Sequence, residues 1–403
     1  MARHYSTRDF FRQMPNALLA RYFQGRGLFS ELDFVGMKET QPAELFAAWL
    51  QVSDNKRNEM DNEFRAIFEL SCEKGFAAIR DEAHWHFIDQ QRDPAAHTAF
   101  VERLAALSNH YERAMLTFLD HNTFWKGASL FYHADTLPYW RKRKNLPHVP
   151  AAVDAASLQQ LEDLIRTYFH QTDGRGNNCV VEPFRRGELD YFFAYPEDYS
   201  QQGIEWVDGN LDRRPHTPAF EVIYVYSRKE GSLDLNFRGS YKAVEPLQGI
   251  FAKAILKLSD LPPDPKDKRI YNLNPLRHKG FQFVPAIGSG ILGVVVKKIR
   301  LSSTVKKGDR ITLEADASSG SNAVYQLLDE IGKSIPLHLY QVTQVELTAT
   351  VQADAIAPTK AVNIRIAYPN SCSLKYDEMD LKLRAMLTES GIEPKEPAPD
   401  AAA

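Results

Sequence analysis

The sequence predicts an α+β multidomain protein, and three observations carry that reading. Apolar side chains recur at helical spacing over the first 140 residues, the stretch near 220–240 alternates with a period of two, and the last third returns to strands. At 403 residues the chain is too long for one ordinary core. The expected divisions are a helical N-terminal bundle (1–140), a connector with a bridging helix (141–176) and an aromatic-rich α+β middle domain (177–260). A linker (261–269), a β-rich α+β C-terminal domain (270–391) and a disordered tail (392–403) follow.

Taken in order, Phe11, Met14, Leu18 and Tyr22 form a helical stripe that can dock on the body of the protein. Pro42 precedes an apolar helical run carrying Leu45, Phe46 and Trp49. One long helix is expected from about Asn58 to Phe87, with Met60, Phe64, Ile67, Cys72, Phe76 and Ile79 along one side. Asp93-Pro94 opens another, with Phe100, Leu104, Leu107, Tyr111 and Met115. Helices of this length joined by short connections suggest an antiparallel bundle. PYWRKRKNLPHVP, at 138–150, combines three prolines with four consecutive basic residues and reads as an exposed connector.

A helix is expected from about Ser157 to His170, then aromatic-rich strands from Cys179 to Tyr226. Phe220, Val222, Tyr224 and Tyr226 alternate, as do Leu233, Leu235 and Phe237, so the two runs form a hairpin around Gly231. Val244, Leu247, Phe251 and Ile255 then mark an amphipathic helix lying on it. Beyond the linker, GVVVKKIRLSS and DRITLEA read as strands joined through TVKKG, Ser321 to Ile331 as a helix, LHLYQVTQVELTATV and AVNIRIAYP as strands, and Leu374 to Leu387 as a closing helix.

Composition bounds the function. Hydrophobic residues make up 44% and charged residues 25%, which fits a folded chain. A net charge of −3 does not by itself point to a polyanion, so local patches decide. Cys72, Cys179 and Cys372 are far apart and odd in number, which argues against a disulfide framework or a cysteine zinc site. No apolar run approaches the ~20 residues a membrane span needs, and the arginine-rich start reads as a docked helix rather than a transit peptide. A cytoplasmic location, no membrane association and no cofactor are expected.

Four groups of residues bear on chemistry. Arg80 and His86, in RDEAHWH, lie late in the long helix. Their spacing resembles the Arg and His pair of HEPN-type ribonucleases, which implies a metal-independent cleavage: imidazole moving a proton, guanidinium stabilising a pentavalent phosphate. The bland reading makes His86 a satisfied core histidine. His84 and His86, two apart on a helix, point in nearly opposite directions and cannot share a metal. The acidic set Glu182, Glu188, Asp190, Glu197, Asp198 and Glu205, with Asp208 and Asp212, can hold magnesium only if it converges. Glu221, Asp234, Asn236 and Arg238 fall on the non-core face of the hairpin, where they line a groove or, more plainly, face water.

The fourth group is basic. Lys297, Lys298, Arg300, Lys306, Lys307 and Arg310 gather on one predicted hairpin, and Arg141, Lys142, Arg143 and Lys144 form a second cluster after Tyr139 and Trp140. Such patches bind phosphate backbones, while lysine-guarded strand edges are the plain alternative. The sequence therefore predicts a binding or interaction protein, a subunit of a nucleic-acid-handling or regulatory assembly. DNA or RNA would lie on the basic residues and a protein partner on the helical domain. A ribonuclease using Arg80 and His86 is the alternative, and a structural adaptor without nucleic acid the third.

Overall fold

The computed structural model of the chain describes residues 4–38, 40–138, 140–207, 209–262, 270–316, 320–352 and 359–393. Most of the expected linker, the tail from 394 onward, Tyr139 and Asp208 lie outside them. The chain divides into two units, 1–136 and 137–403. It is an α+β protein, with twelve α-helices and three antiparallel sheets among the described residues.

The first unit is all helical: α1 (Thr7–Gln13), α2 (Asn16–Gln24), α3 (Ala43–Leu50), α4 (Asp54–Leu70), α5 (Glu73–His84), α6 (Pro94–Ala105), α7 (His110–Asp120) and α8 (Asn122–Thr136). Side-chain caps start several of them, including Ser6, which accepts from the Asp9 amide, and Asp93, which accepts from Ala96 ahead of Pro94. Phe64 sits at the centre, its ring 4.9 Å from Phe10, 4.8 Å from Tyr22 and 5.6 Å from Trp49. Each such pair adds about 0.5–1.5 kcal/mol beyond simple burial.

Two expected helices are each broken in two. The 58–87 stripe runs through both α4 and α5, but Cys72 caps a new helix, its Sγ accepting from the Gly75 amide. The chain turns so tightly there that a Cβ on Gly75 would lie 2.2 Å from the Leu70 carbonyl oxygen. After His84 the coil widens into a π turn over Trp85–Gln90. A break after Ala105 likewise separates α6 from α7. A continuous apolar stripe survives such breaks because both halves face one core.

The second unit begins with β1 (Arg141–Arg143) and α9 (Ala155–Asp173), then β2 (Cys179–Arg186), β3 (Leu189–Pro196), β4 (Gln201–Val207), β5 (Asn210–His216), β6 (Val222–Ser227), β7 (Ser232–Phe237) and α10 (Val244–Ala254). Strands in the order β1-β7-β6-β3-β2 form the first sheet, while among the described residues β4 and β5 pair only with each other. The β6–β7 turn closes as the alternation implied, with Gly231 at φ +56°. Phe192, Tyr224, Tyr226 and Leu235 turn one face of that sheet to Ile165 and Phe169 of α9 and to Leu247 and Phe251 of α10.

The second sheet, ordered β12-β11-β10-β8-β9, uses β8 (Ile291–Ser303), β9 (Arg310–Glu314), β10 (Tyr340–Val351), β11 (Lys360–Ala367) and β12 (Ser371–Cys372). Ile299, Leu301, Val345, Leu347 and Ile364 pack against Val324 and Leu328 of α11 (Ala323–Gly332) and against Leu383 and Leu387 of α12 (Glu378–Glu389). The opposite side of α12, at Leu381, Arg384 and Ala385, meets the first sheet, so this helix lies between the two sheets. Their edges are tied directly: the Lys142 amide donates to the Asn370 carbonyl at 3.1 Å and the Asn370 Nδ2 donates to the Lys142 carbonyl at 3.1 Å. No described helix is long and apolar enough to cross a membrane.

Candidate functional site

The two basic clusters meet opposite fates. Arg141–Arg143 is an edge strand, in register Arg141↔Leu235, Lys142↔Asp234 and Arg143↔Leu233. Strand alternation turns Lys142 to the face of Asp234, where it is 4% exposed. Its Nζ donates to Glu230 Oε2 at 2.7 Å and to Glu393 Oε1 at 3.0 Å. Lys144 reaches the same Glu393 oxygen at 3.0 Å, and the buried Arg143 donates to the Pro262 carbonyl. Arg141 is half-buried, its guanidinium 5.8 Å from the centre of the Tyr241 ring. The expected exposed connector is corrected on this point. The lysine stems lie along a sheet edge, and their charges are met by carboxylates distant in sequence.

Asp234 and Asn236, for which facing water was the plainer expectation, are also inside, because α12 and its preceding loop cover that face. Asn236 Nδ2 donates to the Pro138 carbonyl at 2.6 Å, and the Tyr376 hydroxyl donates to Asp234 Oδ2. Asp234 and Tyr376, with Lys142, Glu230, Ser232 and Arg384, line a cavity of about 140 Å³. Arg384 Nε donates to the Lys375 carbonyl at 3.0 Å and Nη2 to the Leu374 carbonyl at 2.7 Å. Its Nη1 is buried with no partner among the described residues.

Electrostatics hold Lys142 and Glu393 ionised. Burial pushes the Glu393 carboxyl up, but the Lys142 and Lys144 ammoniums more than reverse it and bring the pKa down to about 2. Burial likewise works against the Lys142 charge, and Glu393, Asp234 and Glu230 outweigh it, raising its pKa. Asp234's place in an alternating strand and Lys142's in the RKRK run were the marks of this site in the sequence, since Glu230, Glu393, Tyr376 and Arg384 carry no motif.

The C-terminal basic residues lie on the other sheet. Ile299 and Leu301 point inward, so Lys298, Arg300 and Ser302 share the outer face with Arg310, Thr312 and Glu314 of β9. Gln344 and Glu346 of β10 and Arg365 of β11 continue that face. Lys297 occupies a bulge, since Val296 pairs with Leu347 and Lys298 with Glu346. Lys298 Nζ is 2.8 Å from Glu314 and 3.4 Å from Glu346, and Lys297 is 4.0 Å from Glu314. Lys306 and Lys307 are exposed in the β8–β9 turn, Lys306 lying 3.3 Å from Asp309.

Arg300 is different. Neither it nor Arg310 has a carboxylate partner among the described residues, and the Arg300 Nε is buried without a hydrogen bond. Burial, and then the like charges of Arg310 and Arg365, press its pKa downward. Arg365 reaches Glu346 only at 4.0 Å. Three guanidiniums thus stand together on one polar sheet face.

In the helical unit Arg80 and His86 keep different company. Arg80 stacks over Phe76 at 5.9 Å and acts on His97, whereas His86 lies against Phe87 and Phe124 and 3.0 Å from Gln91 Nε2. Between them Glu82 is 7% exposed, its Oε2 without a partner among the described residues, and burial, aided by Asp81, raises its pKa to about 7. The acidic set does not converge: Asp198 pairs with Arg175, Asp212 with Arg214, and Asn178 donates to Glu197. No group of three or more potential metal ligands exists among the described residues. Compared with known proteins, the chain matches no family model, no curated protein and no solved structure.

Proposed function

We propose that the chain binds a nucleic-acid phosphate backbone, DNA or RNA, as a member of a nucleic-acid-handling or regulatory assembly. The contact surface in this reading is the outer face of β9, β8, β10 and β11 together with the exposed β8–β9 turn. One observation carries it: Arg300 stands beside Arg310 and Arg365 with no carboxylate partner among the described residues. Like charges held together are relieved by an anion, and a guanidinium offers the planar fork that phosphate oxygens fit. Among the described residues the outward positions named above include no aromatic side chain, which favours backbone contact over base stacking. Lys142, Arg143 and Lys144 take no part, their side chains being engaged internally. The helical unit is left to a protein partner.

The test is anisotropy with labelled single-stranded DNA, RNA and duplex at low and moderate salt. Affinity should fall steeply as salt rises. Converting Arg300, Arg310 and Arg365 together to Glu should lower it by about a hundredfold. Lys229→Glu, in the exposed β6–β7 turn, should leave it unchanged. Undiminished affinity in the triple variant, or no salt-dependent binding by the parent, overturns the reading.

A further inference from the structure

We propose that the cavity between the first sheet and α12 is a binding site for a small amino acid, held as its zwitterion. This does not rest on the polyanion reading, which concerns the other sheet.

Three features converge on that ligand class. The first is unused hydrogen-bonding capacity of both signs. Arg384 is 8% exposed, and its orphaned Nη1 requires an acceptor such as a carboxylate oxygen. Asp234, 4% exposed, gives only Oδ2 to Tyr376, so Oδ1 remains to accept from an ammonium. The second is charge. Lys142, Lys144 and Arg384 are matched by Glu230, Asp234 and Glu393 in and around the cavity. A ligand with net charge would leave one enclosed charge uncompensated, and a zwitterion adds none. The third is size and access. At roughly 30 Å³ per water the cavity, about 140 Å³, holds four or five waters, or a molecule of glycine, alanine or serine dimensions. The Glu230 side chain is 53% exposed, and Leu381 and Ala385 are exposed on α12, so the mouth is open.

The full chain is titrated with glycine, L-alanine and L-serine by calorimetry and thermal melting. At least one should bind saturably and raise the Tm. The amide and N-acetyl derivatives, each lacking one of the two charges, should bind about tenfold or more weakly. Ala385→Phe, at an exposed position of the mouth, should remove binding while leaving the melt of the unliganded protein unchanged. Arg384→Lys adds a check on the acceptor side, since it keeps the charge and loses the fork. No saturable heat with any of the three amino acids means the cavity holds water only and overturns the proposal. So does binding that survives Ala385→Phe, or equal affinity for an N-acetyl derivative.

Discussion

The two five-stranded sheets of the second unit invite comparison, because each has one apolar face under helices and carries cations on the other, which in the first sheet also buries Tyr191, Phe193, Ile223 and Val225. On the first sheet α12 lies over the charged part of that face, and the inward lysine there is surrounded by carboxylates. On the second, Arg300 stands beside two further guanidiniums and has no carboxylate partner among the described residues. The same residue types on the same kind of strand therefore do different work. Where an element covers the face, every charge must be answered internally. Where, among the described residues, the face is only partly covered, a surplus can persist because solvent screens it, and it becomes available to a ligand.

Removing one cation from each sheet should expose that difference. Lys142→Met leaves Glu230 and the enclosed Glu393 short of their partner, and a loss of about 3–5 kcal/mol in denaturant unfolding is expected. A loss below about 1 kcal/mol would mean that the enclosed network contributes little.

The helical unit offers an enclosed carboxyl with no cation against it, which sharpens the contrast by inverting its sign. Glu82 titrates near 7 in the folded chain and lower when unfolded, so the folded state holds the extra proton. Stability from this site is intact at acid pH and declines as pH rises through the ordinary carboxyl range to about 7, then levels off. Glu82→Gln should match the parent near pH 4 and exceed it by about 2–3 kcal/mol above pH 8, read from paired melts. A parent profile that is flat over this range would place the proton elsewhere.

The smallest effect belongs to the open face. Arg300→Met should change stability by less than about 0.5 kcal/mol, with a slight gain at low salt as like-charge repulsion is relieved. A large loss there would erase the distinction between the sheets.

Much of the frame was legible in the chain. Period-two alternation located β6 and β7, and apolar stripes located α10, α11 and α12, because half-buried elements repeat in sequence the geometry of the face they bury. Helix breaks were not legible. Cys72 fits the apolar stripe as well as any core residue, and only its Sγ bond to Gly75 reveals a cap. The charged sites were less legible still. RKRK and KKIR carry the same local signal, and their fates were decided by Glu393 and by the coverage of α12, neither of which leaves a local mark. Arg384 and Tyr376, which shape the cavity, both sit in a stretch that reads as ordinary helix, although Tyr376 lies in the loop before α12.

The bond between Lys142 and Glu393 spans 251 positions along the chain. At roughly 5–20 residues per second, a ribosome needs about 12–50 s to travel that far. Glu230 arrives with the β6–β7 turn, so from then until Glu393 is made the Lys142 ammonium has one of its two carboxylate partners and lacks the enclosed one. The unit is thus fastened late in synthesis, and a chaperone that shields strand edges would have its longest opportunity at Arg141–Arg143.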